Sequence, residues 1–355
     1  RCIKSVDGKI VNKTLPTFKN LETLNLEGIK NLTNLYLKGL ERLKILNLRG
    51  SSIETVSLDW LKCLEKIDLY NTKALNYLSL TGLDSLKDLN LWASSVETID
   101  GLNSLKALEK LDLSNTKVLK SLSLKGLDSL KDLCLVGSSI ETIDGLNSLK
   151  SLESLELFQT QALKSLSLKG LDSLKNLNLS DSSIETVSLD GLKALEKFDL
   201  TDTDFLKSIS LKDLDSLKEL YLASKSIETI ELENLKSLKN LGLSNSLVEV
   251  IMLKNLSDLE YLNLSNLKNL KSVVFEGDFS SLTTLTFAES ANLESIEGLE
   301  HLTNLKDLNI SETSKLSRIA PPPEQKDLKL NLAGSGVTKS GIKGFENLDE
   351  SNITF

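Results

Sequence analysis

The sequence predicts a repeat solenoid of the α/β type, in which each coil adds one strand to a parallel β-sheet. Two short phrases carry this prediction, Ser-Leu-Lys-Gly-Leu-Asp-Ser-Leu and Ser-Ser-Ile-Glu-Thr, because both recur along the chain with a period of 43 or 44 residues. Self-similarity at a fixed period is typical of stacked units rather than of a closed globule. Identical or slightly altered copies of the two phrases begin at residues 51, 79, 94, 123, 138, 167, 182, 210 and 225.

Apolar triplets of the form Leu-x-Leu, with an occasional Ile or Phe, mark the successive coils. Alternation along a strand places the two apolar side chains of Ile67-Asp68-Leu69 in a core and leaves Asp68 outside it. One coil cannot bury its leucines alone, so neighbouring coils must stack to form one continuous core. The triplets define 14 units of 21 to 23 residues, and they begin at positions 24, 46, 67, 89, 111, 133, 155, 177, 198, 220, 241, 262, 285 and 308.

A second, shorter apolar triplet lies half a period away from these cores. It reads Leu78-Ser79-Leu80 in some coils and Ile99-Asp100-Gly101 in alternate coils. We expect these triplets on the opposite, convex side of each coil. They could form short strands or 3-10 turns there, and the sequence does not decide between the two.

The two ends of the chain depart from the repeat and predict caps. Residues 1–20 are expected to form an N-terminal cap, in which Asp7-Gly8 favours a hairpin. Residues 21–319 are expected to form the solenoid of about 14 repeats. Pro321-Pro322-Pro323 then interrupts regular structure, because proline has no backbone N–H to donate. Residues 320–355 should hold one last strand, over 328–332, and a C-terminal cap.

The form L-x-x-L-x-x-L-x-L, followed by a small polar residue and an aliphatic one, resembles the leucine-rich repeat family. The coils that read Ser-Ser-Ile-Glu-Thr-Ile-Asp-Gly-Leu are similar to internalin-like bacterial repeats. The resemblance implies a horseshoe with a concave parallel β-sheet. It also implies that the side chain at the usual asparagine position points inward and bonds the backbone of adjacent coils. That position here carries a hydroxyl residue in every regular coil, at Ser51, Thr72, Ser94, Thr116, Ser138, Thr160, Ser182 and Thr203.

The composition argues against several classes of protein. With 50 acidic and 42 basic residues the formal charge is −8, which disfavours a binder of duplex nucleic acid. No apolar run approaches the roughly 20 residues that a membrane-spanning helix needs. The chain begins at Arg1, as we expect of a processed form. The cysteines Cys2, Cys63 and Cys134 have the spacing of neither a zinc site nor a disulfide-linked cap, so we expect three free thiols.

The sequence offers few residues for catalysis or for binding a cofactor. The single histidine, His301, begins a coil at an expected surface turn, and no glycine-rich phosphate loop follows a strand. The predicted sheet carries an acidic column that includes Asp68, Asp112 and Asp199. A metal or a cationic ligand could bind there, but neighbouring lysines favour exposed ion pairs worth about 0–1 kcal/mol each. We therefore expect no enzymatic activity, no cofactor and no metal site.

One outward-facing column of the predicted sheet has an unusual composition. Large aromatic and arginine side chains dominate binding hot spots, and nothing in folding requires them at these positions. Scattered exposed apolar residues are common, which is the alternative interpretation. Trp60 stands where other coils have glycine, and we expect it to pack on the convex side. The candidate partner-binding residues are Arg49, Tyr70, Trp92, Val136 and Phe158 from this column, with Tyr221 from the column beside it.

These patterns favour a non-enzymatic protein-recognition module that binds a macromolecular partner on its concave face. The resemblance to internalin-like repeats implies a bacterial surface or secreted protein that engages a host protein, with a cytoplasmic location as the alternative. A rival function is the specificity module of a larger immune-receptor-like or ubiquitin-ligase-like assembly. A purely architectural spacer is a third. We expect the partner to be a protein rather than a nucleic acid.

Overall fold

The computed structural model describes residues 12, 14–206, 209–211, 214–227, 229–233, 235–320, 327–342 and 348–355. They fall into two compact units, Arg1–Leu177 with Val187–Leu192, and Asn178–Thr186 with Lys193–Phe355. The fold is a parallel-strand solenoid of about 14 turns, and helical structure is almost confined to short 3-10 turns. The expected hairpin at Asp7-Gly8, the thiol of Cys2 and the prolines 321–323 lie outside the described residues.

The first unit is built on a main ladder of parallel three-residue strands. Neighbouring strands pair in register, so that Ile67 lies between Leu46 and Leu89. The middle residue of each strand is buried, as the alternation of the apolar triplets predicted. The main strands of this unit are Thr23–Asn25, Ile45–Asn47, Lys66–Asp68, Asp88–Asn90, Lys110–Asp112, Asp132–Cys134, Ser154–Glu156 and, at the unit boundary, Asn176–Asn178.

The half-period triplets of the first unit form short back strands that pair two by two. Both structures left open by the sequence occur, since the Asp-Gly coils add a 3-10 helix after the strand. Gly101 and Gly145 start these helices with φ of 75° and 78°, a backbone that glycine adopts without strain. The back strands are Asn34–Tyr36, Thr55–Ser57, Tyr77–Ser79, Thr98–Asp100, Ser121–Ser123, Thr142–Asp144, Ser165–Ser167 and, at the boundary, Thr186–Ser188, and the 3-10 helices are Leu15–Thr17, Leu102–Ser104 and Leu146–Ser148.

The second unit continues the same plan with longer and less regular strands. The last predicted strand is confirmed, and the chain end adds a further parallel strand beside it that the sequence did not suggest. Its main strands are Lys197–Thr201, Glu219–Ala223, Asn240–Gly242, Tyr261–Asn263, Thr284–Thr286, Asp307–Asn309, Lys329–Asn331 and Ile353–Thr354. Its back strands form one four-stranded sheet, Thr229–Glu233, Val250–Lys254, Ser272–Glu276 and Ser295–Glu297, and its 3-10 helices are Leu299–His301, Lys339–Ile342 and Glu350–Asn352.

The hydroxyl residues of the regular coils are buried, as predicted, but their bonding differs from the expectation. Each threonine donates to a carbonyl three residues earlier in its own coil; Thr160 Oγ1 lies 2.7 Å from Leu157 O. Within the described residues the serine hydroxyls find no hydrogen-bond partner, at Ser51, Ser94, Ser138 and Ser182. Adjacent coils are joined instead by backbone N–H groups, such as Ser139 N to Thr116 O at 3.0 Å. Backbone hydrogen bonds, and not the side-chain hydroxyls of these residues, therefore connect adjacent coils.

The structure also corrects the expected packing of Trp60. Its side chain is 68% exposed, the most exposed large apolar group of the described residues. Its φ of 75° is left-handed, like that of the glycines at the equivalent position of neighbouring coils, Gly39 and Gly82. Trp60 is therefore placed by a turn that requires a left-handed backbone, and its side chain does not pack in the core.

Candidate partner-binding site

The outward-facing column of the first unit, which we call the exposed column, has one residue from each of six successive coils. Five of its residues are half-buried and Ser114 is buried, so the column is less exposed than the sequence predicted. The six residues are Arg49, Tyr70, Trp92, Ser114, Val136 and Phe158. Each follows a fully buried leucine, so alternation directs the column side chains away from the core. The next residue in each coil has a left-handed backbone, and in the first five coils, from Gly50 to Gly137, its N–H donates to the column carbonyl of the following coil. The distance is 2.7 Å from Gly50 N to Tyr70 O and 2.7 Å from Asn71 N to Trp92 O.

A second set of bonds fixes the column from the strand side. In the first four coils of the column the residue two positions earlier is an Asp or Asn, and its side-chain oxygen accepts the N–H of the column residue. The distance is 3.1 Å from Tyr70 N to Asp68 Oδ1 and 2.9 Å from Trp92 N to Asn90 Oδ1. Such side-chain caps satisfy backbone donors where a strand ends. The acidic column is therefore partly structural, a role that the recurrent Asp or Asn two residues before the column could have indicated.

Three of the predicted site residues form one stacked group, which we call the Arg-Tyr-Trp stack. The rings of Tyr70 and Trp92 lie parallel, with centroids 4.4 Å apart and an angle of 4° between planes. The guanidinium carbon of Arg49 lies 4.2 Å from the centroid of the Tyr70 ring. Arg49 Nη1 also reaches Asp68 Oδ2 at 3.3 Å. Stacking and cation–π contacts each contribute about 0.5–1.5 kcal/mol, so the group is preorganised before any partner arrives.

After Trp92 the side chains of the column no longer stack on one another. Ser114 is only 1% exposed, and its Oγ lies 3.0 Å from Cys134 Sγ. Val136 and Phe158 are half-buried, and among the described residues Phe158 makes no aromatic ring contact. Val136 and Phe158 thus share the column with the stack but do not join it.

Tyr221 lies in the second unit, as the third residue of the main strand Glu219–Ala223. Its ring covers Gly242 on the neighbouring strand, where an added Cβ would come within 3.0 Å of Tyr221 Cδ1. The ammonium of Lys197 is 5.8 Å from the ring centroid. Burial, the largest cause, raises the pKa of the Tyr221 phenol above its usual value. Tyr221 is thus a partly packed residue, separate from the Arg-Tyr-Trp stack.

Ion pairs next to the column form across strands rather than along them. Lys110 Nζ lies 3.1 Å from Asp132 Oδ2, and Lys66 pairs with Asp88 in the same way. These side chains are largely exposed, so each pair adds little stability. The sequence had indicated such mutual neutralisation of lysine and aspartate.

The free thiols and the histidine show no arrangement for catalysis. Cys63 and Cys134 are free, as predicted, and burial raises the pKa of the Cys134 thiol, which disfavours the reactive thiolate. His301 is half-buried in a 3-10 helix. The described residues hold no cluster of three or more His, Cys, Asp or Glu suited to a metal ion. In the same part of the chain, no helix has the length and apolar character to span a bilayer.

Comparison with protein families places these features in a known group. The family model for the BspA-type leucine-rich repeat region matches in six copies, over residues 90–200, 128–247 and 215–332, which is more than half of the chain. The chain belongs to this family. Leucine-rich repeat proteins are generally protein-interaction modules and typically non-enzymatic scaffolds. Comparison with curated protein sequences found no match.

Solved structures of other leucine-rich repeat proteins share the fold. An internalin, InlF, from Listeria monocytogenes aligns with a TM-score of 0.55 and 20% identity, over 79% of this chain and 87% of its own. The functional domain of InlJ from the same organism aligns with a TM-score of 0.55 and 17% identity, over 88% of this chain and 73% of its own. A TDR receptor aligns with a TM-score of 0.52 and 19% identity, over 89% and 68%. At these identities the likeness concerns the fold alone.

Proposed function

We propose that this BspA-type leucine-rich repeat chain is a non-enzymatic recognition module that binds a protein on the outward face of its main ladder. The Arg-Tyr-Trp stack is the observation that carries the proposal. It places two parallel rings and a guanidinium on a surface whose stability rests on the leucine core behind it. Val136 and Phe158 extend the contact area of the first unit, and Tyr221 is a separate candidate contact in the second unit.

The charge balance and the likeness in fold support this function over its alternatives. A net charge of −8 disfavours nucleic acid as the partner. The internalins InlF and InlJ share the fold, which favours a bacterial surface or secreted protein that engages a host protein. The TDR receptor shares it as well, so a specificity module of a larger receptor-like or ubiquitin-ligase-like assembly is the rival function. Under either function the same face of the main ladder binds.

Affinity capture with matched variants tests the proposal. The wild-type chain and the triple variant Tyr70→Ala/Trp92→Ala/Phe158→Ala are immobilised and exposed to the same cell extract. A protein retained by the wild type and by Trp60→Ala, but lost from the triple variant, is the expected result. Trp60 is the control because it is equally aromatic and follows a back strand, away from the main ladder. Equal retention by the triple variant would remove the exposed column from consideration.

A further inference from the structure

The indole of Trp92 is half-buried, and its two faces, which we call the covered face and the open face, differ in their neighbours. Tyr70 covers the first face at 4.4 Å between centroids, with nearly parallel planes. The second face looks along the column toward the next coil, about 4.8 Å away. The column residue there is Ser114, whose short side chain is buried to 1% exposure and hydrogen-bonded to Cys134. The stack therefore stops at Trp92, and within the described residues no aromatic ring covers the second face of its indole.

A carboxylate without a cationic partner lies beside this open face. Asp112 belongs to the same coil as Ser114, and its Oδ1 accepts the Ser114 N–H at 2.8 Å. The acidic groups around it are paired: Asp68 with Arg49, Asp88 with Lys66 and Asp132 with Lys110. In the described part of the chain no lysine or arginine reaches Asp112 within 4.0 Å. Asp112 is half-buried, so a cation that meets it is only partly screened by water.

The other end of the stack shows which side chain can bind between an aromatic face and a carboxylate. The guanidinium carbon of Arg49 lies over the Tyr70 ring, 4.2 Å from its centroid, and Arg49 Nη1 pairs with Asp68 Oδ2 at 3.3 Å. An aromatic face and a carboxylate, both at the edge of the main ladder, are thus already occupied by a guanidinium at the first end. The second end also has an aromatic face and a carboxylate, Trp92 and Asp112, although Asp112 belongs to the coil that follows the ring whereas Asp68 belongs to the coil of Tyr70. Within the described residues no guanidinium or ammonium pairs with Asp112.

We propose that the protein partner inserts an arginine here, with its guanidinium flat on the open face of Trp92 and hydrogen-bonded to Asp112. This inference rests on the proposed function and adds the chemistry of the partner to it. Arginine fits better than lysine because its planar guanidinium stacks on a ring while it donates to a carboxylate. An uncharged apolar side chain would cover Trp92, but it would desolvate the Asp112 carboxylate without forming an ion pair or hydrogen bond with it, which is unfavourable.

The two tryptophans of the chain allow a direct test by NMR on the intact protein. The indole N–H spectrum should contain one signal each for Trp60 and Trp92, and Trp60→Phe assigns them. The probe is the blocked tripeptide acetyl-Gly-Arg-Gly-amide, compared with its uncharged citrulline counterpart. We expect the arginine peptide to shift the Trp92 signal in a saturable way while Trp60 stays in place. The citrulline peptide should bind at least about fivefold more weakly, a loss of about 1 kcal/mol.

Asp112→Asn is the matched variant, because the amide keeps an Oδ1 acceptor for the Ser114 N–H and removes only the charge. It should weaken the arginine peptide at least about fivefold and leave the spectrum otherwise unchanged. Equal binding of arginine and citrulline, an unaffected Asp112→Asn variant, or equal shifts of both indoles would overturn the inference. The capture experiment is independent of this result. If the captured partner needs Trp92 but the arginine peptide does not bind, the proposed function stands and the proposed arginine is wrong. If the triple variant captures the partner as well as the wild type does, the proposed function itself is wrong.

Discussion

The buried threonine and serine hydroxyls of the regular coils differ in whether they find an acceptor. Thr160 Oγ1 donates to Leu157 O, whereas Ser138 Oγ has no partner among the described residues. A buried polar atom without a partner contributes only its desolvation cost, while a satisfied one stabilises the fold. The same type of side chain at the same place in the coil can therefore have opposite effects on stability.

Thr160→Val should lower the free energy of unfolding by about 1 kcal/mol, because it removes a satisfied buried hydroxyl at nearly constant volume. Ser138→Ala should leave it unchanged or raise it slightly, because the lost hydroxyl made no bond. Urea unfolding midpoints at constant slope measure both changes. Equal losses at the two positions would show that Ser138 bonds the backbone after all, as the resemblance to the family had implied.

Trp60 shows that a turn can determine a residue's environment more strongly than its hydrophobicity does. Trp60→Gly should stabilise the chain by about 0.5–1 kcal/mol, because the left-handed backbone strains any side chain with a Cβ and the indole buries little. Trp60→Ala is the control, since it removes the ring and keeps the strain. Thermal or urea unfolding compares the two. A large loss for both variants would instead support the packing role expected from the sequence.

At the scale of the element, several main strands end with an Asp or Asn cap, whose side-chain oxygen accepts the backbone N–H two residues later. Asn309 forms such a cap between uncharged neighbours. Its Oδ1 lies 3.0 Å from Ser311 N, and its partners on the adjacent strands are Thr286 and Asn331. Because no charged residue neighbours it in register, the cap can be changed there with few electrostatic side effects. It serves as the reference for the caps under Tyr70 and Trp92.

Asn309→Ala should cost about 1 kcal/mol of unfolding free energy, since a backbone N–H loses its acceptor at the strand end. Asn309→Asp keeps the acceptor and should stay near the wild type. Chemical denaturation of the three proteins in parallel measures this difference. Matching midpoints for Ala and Asp would mean that water replaces the cap without loss.

The period of the leucines was sufficient to predict the strands, whereas the surface needed the structure. The first apolar residue of each of the fourteen predicted triplets lies in a main strand, because the burial of two apolar side chains repeats in every coil. The Arg-Tyr-Trp stack depends on ring orientations between residues about twenty positions apart, which periodicity does not encode. The sequence placed Tyr70 and Trp92 in one column, but only the structure shows their rings in contact. The bonding of the hydroxyls was predicted wrongly because the main chain competes for the same acceptors.

At the scale of the whole molecule, the proposed recognition surface uses other side chains than those that stabilise the fold. The leucine core, the backbone ladders and the side-chain caps hold the coils together in both units. The exposed column can therefore vary with little cost to folding. Trp92→Ala should lose only the stacking with Tyr70, about 0.5–1.5 kcal/mol, and unfold as cooperatively as the wild type. This separation is the property that a recognition surface requires.

The affinity of the Trp92→Ala variant for a captured partner tests the central claim most directly. Isothermal titration would compare it with the wild type and with Trp60→Ala. Buried interface aromatics carry much of the binding energy, so Trp92→Ala should lose at least about 2 kcal/mol, roughly thirtyfold in Kd, while Trp60→Ala binds as the wild type does. Unchanged affinity of Trp92→Ala for that partner would contradict the assignment of recognition to the exposed column.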